Sequence, residues 1–231
     1  PPSLPALHCL DLSLKAGSIT GIGGLRESGL TSLEQLIAGG LPADSGDILL
    51  AGNPLCLAGQ NKKASPSQRI ARARLAGLAW TGGEGITSMK SEQLSIAESA
   101  AILNPAHYAK KHLSFLIDAP LVQQSSARLL AKARISARPN QGLSTLSGGS
   151  QRRLAVFREL SKPSQLFLAS EPFWGLDSRS IEELKGLFKE YLGTVPSSDG
   201  KERPDHRAVL LLSVDCQALI NYCDRFIILK D

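Results

Sequence analysis

Short apolar runs, separated by glycine turns and amphipathic stretches, set the first expectations. Leu10 to Leu14 and Gly17 to Gly23 alternate or run apolar as strands do. The second leads into a glycine-rich turn and then Ser32-Leu-Glu-Gln-Leu-Ile-Ala, so the order is strand, glycine loop, helix. Asp44-Ser-Gly and Gly52-Asn-Pro bracket Asp47-Ile-Leu-Leu-Ala, which predicts a hairpin. An Arg-rich helix is expected from Ser65 to Leu78, with Arg69, Arg72 and Arg74 set against Ile70 and Leu75, leading to a short strand at Leu78 to Trp80. Residues 92–135 carry no strand signal beyond Phe115-Leu-Ile and fit several helices. Gln151 to Leu160 reads as a helix with Leu154, Phe157 and Leu160 on one face, Gln165 to Ala169 as a strand and Ile181 to Leu192 as an amphipathic helix. A polar loop, Ser197 to Asp205, precedes two more strands, Ala208 to Ser213 and Arg225 to Lys230. Strands alternating with helices predict an α/β fold: a mostly parallel sheet, a small antiparallel β portion and an inserted helical block.

Composition narrows the class. At 231 residues, 42% hydrophobic and 20% charged, the chain can bury a full core, and one domain is expected. Residues 1–84 and 150–231 would form its α/β core and 85–149 its helical subdomain. The start at Pro1 and the strand at the other end suggest a piece cut from something larger. No stretch approaches the roughly 18 apolar residues of a membrane span, and no signal pattern opens the chain. Cys9, Cys56, Cys216 and Cys223 have neither a C-x-x-C pair nor zinc-type spacing, which fits free thiols in a reducing cytosol. His107 and His112, five apart, share a helix face poorly, so a plain surface helix is expected there. The net charge of +5 is uneven: Lys62 to Arg138 holds twelve Lys/Arg against four Asp/Glu. That surplus fits a solvated face, anionic lipid headgroups or nucleic acid.

The candidate chemistry begins at Gly24-Leu-Arg-Glu-Ser-Gly-Leu-Thr, between a strand and a helix. This is the frame of a phosphate-binding loop, G-x-x-x-x-G-K-[ST], in which amide groups and a helix N-terminus close around phosphates and lysine reaches the outer ones. Gly24, Gly29, Thr31 and Ser32 keep the frame, Leu30 removes the cation, and Arg26 and Glu27 line the loop. Thr31 is the magnesium candidate. A merely structural turn has the same outline. Roughly 120 residues on, Leu146-Ser-Gly-Gly-Ser-Gln offers a hydroxyl at Ser147, bare backbone at Gly148 and Gly149, and a following helix whose N-terminus attracts anions.

The order of these motifs resembles ATP-binding cassettes, and Leu146 to Gln151 is similar to their L-S-G-G-x-Q signature. Ser170-Glu-Pro-Phe-Trp-Gly-Leu-Asp resembles the family's D-E-P-T-x-G-L-D. Ser170 stands at the magnesium aspartate position, Glu171 at that of the water-polarising carboxylate, and Asp177 in the dimer-contacting D-loop. Leu211-Leu-Ser-Val-Asp resembles the strand ending in the switch histidine, with Val214 in its place, and Gly83 replaces the Q-loop side chain beside Glu84. The adenine-stacking aromatic would lie upstream of Leu7. The resemblance implies a P-loop-NTPase-like core, head-to-tail pairing of cassettes, and ATP with magnesium held between the P-loop of one and the signature of the other. Ser147, Gly148, Gly149 and Gln151 would then serve the partner's nucleotide, while this chain's own site, with Glu171 alone retained, would hydrolyse little.

Ala16-Gly-Ser-Ile-Thr-Gly-Ile-Gly-Gly-Leu and Leu94-Ser-Ile-Ala-Glu-Ser are similar to the degenerate C-terminal cassettes of simple-sugar and nucleoside importers. The implied partners are an N-terminal cassette of the same polypeptide, membrane permeases and, indirectly, an extracytoplasmic solute-binding protein. The implied place is the cytoplasmic face of the membrane. Sugar, nucleoside or a flavin-like vitamin stay open as cargo. Two other functions stay open: a nucleic-acid or ribosome-associated cassette, which no aromatic interleaving favours, and an ATP-independent regulatory domain.

Overall fold

The computed structural model describes residues 4–57, 64–82, 94–103, 105–110, 113–193, 195–196, 202–203 and 207–230. It parts into two compact units, residues 1–83 with 162–231, and 84–161.

In the first unit β1 (Ile19–Gly24) is buried along its whole length. It runs through the Arg26–Ser28 turn into α1 (Leu30–Ala38), and β2 (Asp47–Leu50) and β3 (Asn53–Leu57) follow as an antiparallel hairpin. Ala51 and Gly52 both take positive φ, 49° and 79°, the left-handed pair that a two-residue hairpin turn requires. Next come α2 (Pro66–Leu75) and β4 (Leu78–Thr81).

Among the described residues the second unit holds three α-helices and a short hairpin: α3 (Ile96–Leu103), β5 (Ala109–Lys110) paired antiparallel with β6 (Leu113–Ile117), α4 (Ala119–Lys132) and α5 (Gly148–Leu160). Ile96, Leu130, Ala133, Ile135, Leu143, Leu154 and Ala155 form its core. The sequence places the return to the α/β core at residue 150. The unit instead continues to Ser161, because α5 packs Leu154 and Ala155 into this core.

Back in the first unit, β7 (Leu166–Ser170), α6 (Ser178–Tyr191), the two-residue strands β8 (Val195–Pro196) and β9 (Glu202–Arg203), β10 (Ala208–Ser213), α7 (Cys216–Ile220) and β11 (Arg225–Leu229) complete the chain. The main sheet runs β11-β1-β10-β7-β4, every neighbour parallel. Leu30, Leu33 and Ile37 of α1 and Ala73 of α2 pack with Ile22, Leu168, Leu210 and Leu212 on one face. On the other, the Phe167 ring lies 5.6 Å from Phe188 and 6.3 Å from Tyr191 of α6. A Cβ at Gly21 would stand 2.6 Å from Cys223 Sγ, so glycine in β1 lets the turn after α7 press onto the strand.

Two sequence expectations change. Leu10 to Leu14 forms no strand: Leu12 and Leu14 pack their side chains on the core, and Arg225 donates to the Ser13 carbonyl at 2.9 Å. In α2 the inward face belongs to Arg69 and Ala73, while Leu75 is 88% exposed. Buried Arg69 donates to the carbonyls of Gly39 at 3.0 Å and Gly40 at 2.8 Å, just past α1, and of Ala64, just before α2, which satisfies loop carbonyls at both places.

Candidate functional site

The phosphate-loop candidates lie between the end of β1 and the first turn of α1. Gly24 ends β1 beside Leu229, Leu25 is exposed, and Gly29 takes φ 89° to turn the chain into α1. That left-handed turn is why glycine stands there. No side chain caps the N-terminus of α1. Leu30, at the lysine position, points inward: it is 6% exposed and belongs to the core cluster with Ile22 and Leu212. Thr31 is exposed, and the buried Ser32 hydroxyl donates to the Pro5 carbonyl at 2.5 Å. Leu7 lies against Gly29, its Cδ2 2.6 Å from where a Cβ would be.

The carboxylates near the end of β7 bond to other groups of the protein. Glu171 follows β7 at φ 50°, a strained conformation for a residue with a side chain. Its amide donates to the Leu212 carbonyl at 2.7 Å. Its carboxylate accepts from the Ser213 hydroxyl at 2.6 Å and the Val214 amide at 2.8 Å, tying the end of β7 to the end of β10. Half-buried Val214 packs against the core. Asp177 accepts from the Ser180 amide at 2.7 Å and so caps α6.

A buried carboxylate at the same end of β7 was missed. Glu34, 6% exposed, accepts from the Trp80 indole at 3.0 Å and from the Ser170 hydroxyl at 2.6 Å. Its signal was present: a charged residue within the Leu30, Leu33, Ile37 stripe, where helical spacing puts it on the inner face. Gly83 and Glu84, the Q-loop positions, lie outside the described residues, as does the side chain of Arg26. Among the described residues no group of three His, Cys, Asp or Glu could hold a metal, and no helix is long and apolar enough to cross a membrane.

In the second unit Ser147 caps α5, accepting from the Ser150 amide at 3.3 Å and donating to its hydroxyl at 3.0 Å. Gln151 turns inward, its amide donating to the carbonyls of Leu143 at 3.1 Å and Leu146 at 3.0 Å, which fixes the loop before the helix. Ser147 and Gly148 are exposed. Among the described residues a Cβ at Gly148 would meet nothing within 4 Å, so their packing does not require glycine there.

The sequence profile of the ABC transporter family matches residues 7–174. The chain belongs to that family. The cassette is 28% identical to the ribose import ATP-binding protein RbsA of Pseudomonas putida, over 95% of this chain and 38% of that protein. It is equally 28% identical to the galactofuranose transporter ATP-binding protein YtfR of Escherichia coli K12, over 96% and 40%. It thus spans about two fifths of the length of these curated relatives. The dimeric bacterial ABC transporter cassette MJ0796 superposes with a TM-score of 0.68 at 20% identity, over 95% of this chain and 84% of that one. The fold is therefore that of an ABC ATPase cassette, with its parallel sheet and small antiparallel parts.

Proposed function

We propose that this ABC cassette is the non-hydrolysing half of a cassette pair in a simple-sugar importer, where it presents its signature to the nucleotide held by the other half. The observation that carries the reading is Gly148. A glycine that no described neighbour demands, beside an exposed Ser147 at a helix N-terminus, leaves bare backbone for an anion approaching from outside.

The cassette's own site does not fit a magnesium triphosphate. The group at 30 is apolar and buried, and the Ser170 hydroxyl and the Glu171 carboxylate are engaged with protein partners. Bound elsewhere in the pair, ATP with magnesium would supply the phosphoryl chemistry. Here Thr31 hydroxyl and the α1 amides are the groups left to face a weakly held phosphate. Each missing charge-stabilising group costs about 10²- to 10³-fold in rate, so Glu171 alone does not sustain turnover.

Import of a simple sugar is supported by the ribose and galactofuranose relatives, which are long enough to hold two such domains. In that setting the partners are an intact cassette, membrane permeases and an extracytoplasmic solute-binding protein reached through them, with the cassette peripheral on the cytoplasmic face. Ser147→Arg in the assembled transporter is expected to abolish sugar-stimulated ATP turnover in proteoliposomes. Undiminished turnover would sink the reading.

A further inference from the structure

Ser170 ends β7 where the family's strand carries a carboxylate, and a carboxylate 136 positions away in sequence reaches it in space: Glu34 of α1. Its side chain lies on the apolar face that Leu30, Leu33 and Ile37 press into the core, where an ionised group is tolerated only when other groups hydrogen-bond it. Two neutral donors do so from two different strands, the Trp80 indole of β4 at 3.0 Å and the Ser170 hydroxyl of β7 at 2.6 Å. One carboxylate therefore ties the helix that follows the phosphate loop to two strands of the sheet.

Ser170 and Glu34 are matched. An aspartate at 170 would set a second carboxylate against Glu34, and two carboxylates in such contact do not both ionise without a cation between them. Serine at 170 removes that conflict and supplies a proton donor instead. Trp80 reinforces the arrangement, since an indole N–H donates and never ligates a metal. A divalent cation would have to displace both donors to reach Glu34.

We infer that Glu34 has taken over the place of the strand's metal-holding carboxylate as an internal anchor, so that α1 is held on the sheet by Trp80 and Ser170 without metal or nucleotide. The inference rests on the reading that this site is not hydrolytic. Glu34 acts here as a positioning residue.

The test follows thermal unfolding of the purified chain by Trp80 emission. The chain has two tryptophans, so Trp174→Phe, at an exposed position, leaves Trp80 as the reporter. Magnesium chloride alone, or with ATP, is expected to move the midpoint by less than about 1 °C and to leave the emission unchanged. Glu34→Gln keeps the shape but presents an amide N–H to one of the two donors. It is expected to lower the midpoint by roughly 3–10 °C and to shift the emission. Glu34→Leu combined with Ser170→Asp, which returns the carboxylate to the strand, is expected to show a midpoint that rises with magnesium. A midpoint of the unaltered Glu34 chain that rises with magnesium, and loses that rise in Glu34→Gln, would make Glu34 a metal ligand and overturn the proposal. Unchanged stability and emission in Glu34→Gln would overturn it too. If the double variant fails to fold, the Glu34→Gln measurements decide. ATP hydrolysis by the purified chain would refute the non-hydrolytic reading separately, since none of these midpoints depends on turnover.

Discussion

At Cys223 the surroundings override the intrinsic chemistry of the side chain. Burial against β1, with the Asp224 carboxylate as the smaller cause, pushes the thiol up to about 12. A raised folded-state value means that the protonated thiol is favoured by the fold. The associated stability is complete below the ordinary thiol range near 9 and is lost as pH rises from there towards 12. Cys223→Ala should therefore flatten the alkaline edge of a denaturant-midpoint profile between pH 9 and pH 11, and Cys223 should alkylate far more slowly than exposed Cys9 at pH 8. Gly21 is the other half of that contact. Gly21→Ala would drive a methyl to 2.6 Å from Cys223 Sγ, and an overpacking cost of about 1–3 kcal/mol is expected in urea unfolding. Glu171 makes the same point about context: a residue whose neighbours in sequence mark it as a base spends its carboxylate on Ser213 and Val214.

Two helix ends carry the contrast at the level of elements. Just past the C-terminal end of α1, Arg69 reaches across from α2 to the carbonyls of Gly39 and Gly40, and it also holds that of Ala64 before its own helix. Arg69→Met keeps the stem but strands those acceptors, so a loss of about 2–4 kcal/mol is expected by urea unfolding, with amides of α1 exchanging faster than those of β10. The N-terminal end of α5 is left open to the outside beyond its Ser147 cap. Gly148→Ala should change the stability of the chain by less than about 0.5 kcal/mol, because the added methyl meets nothing within 4 Å. On the proposed pairing with an intact cassette, the same methyl should lower ATP turnover of the pair at least about tenfold. A stable variant with full turnover would show that no ligand approaches Gly148.

Taken as a whole, the proposed non-hydrolysing cassette would depart from a working phosphate site at several places at once, and repairs should not add up singly. Leu30→Lys restores the cation, yet Ser170 and Glu171 keep their protein partners, so ATPase activity of the purified chain should stay at background. The restored lysine must also leave the core cluster that holds Leu30, at a cost in stability of about 2–4 kcal/mol.

Much of this was legible from the chain alone. Glycines at fixed offsets announce backbone conformations that other residues avoid, as φ 89° at Gly29 does. Alternation of apolar strands with amphipathic helices announces a parallel sheet, because each helix must cover a face. Local chemistry of this kind depends on neighbours a few residues away, so the turn at Gly29 and the alternation of the main strands and helices could be read directly. The other features depend on residues far apart in sequence. Glu34 and Ser170 are 136 positions apart, and Glu171 and Ser213 are 42 apart. Arg69 gave an inverted reading, since a charged residue faces inward only when distant carbonyls are waiting for it. The sequence by itself determined which motifs exist and in what order. Only the tertiary structure decided which polar groups spend their hydrogen bonds on one another, because strand register and helix packing set those distances.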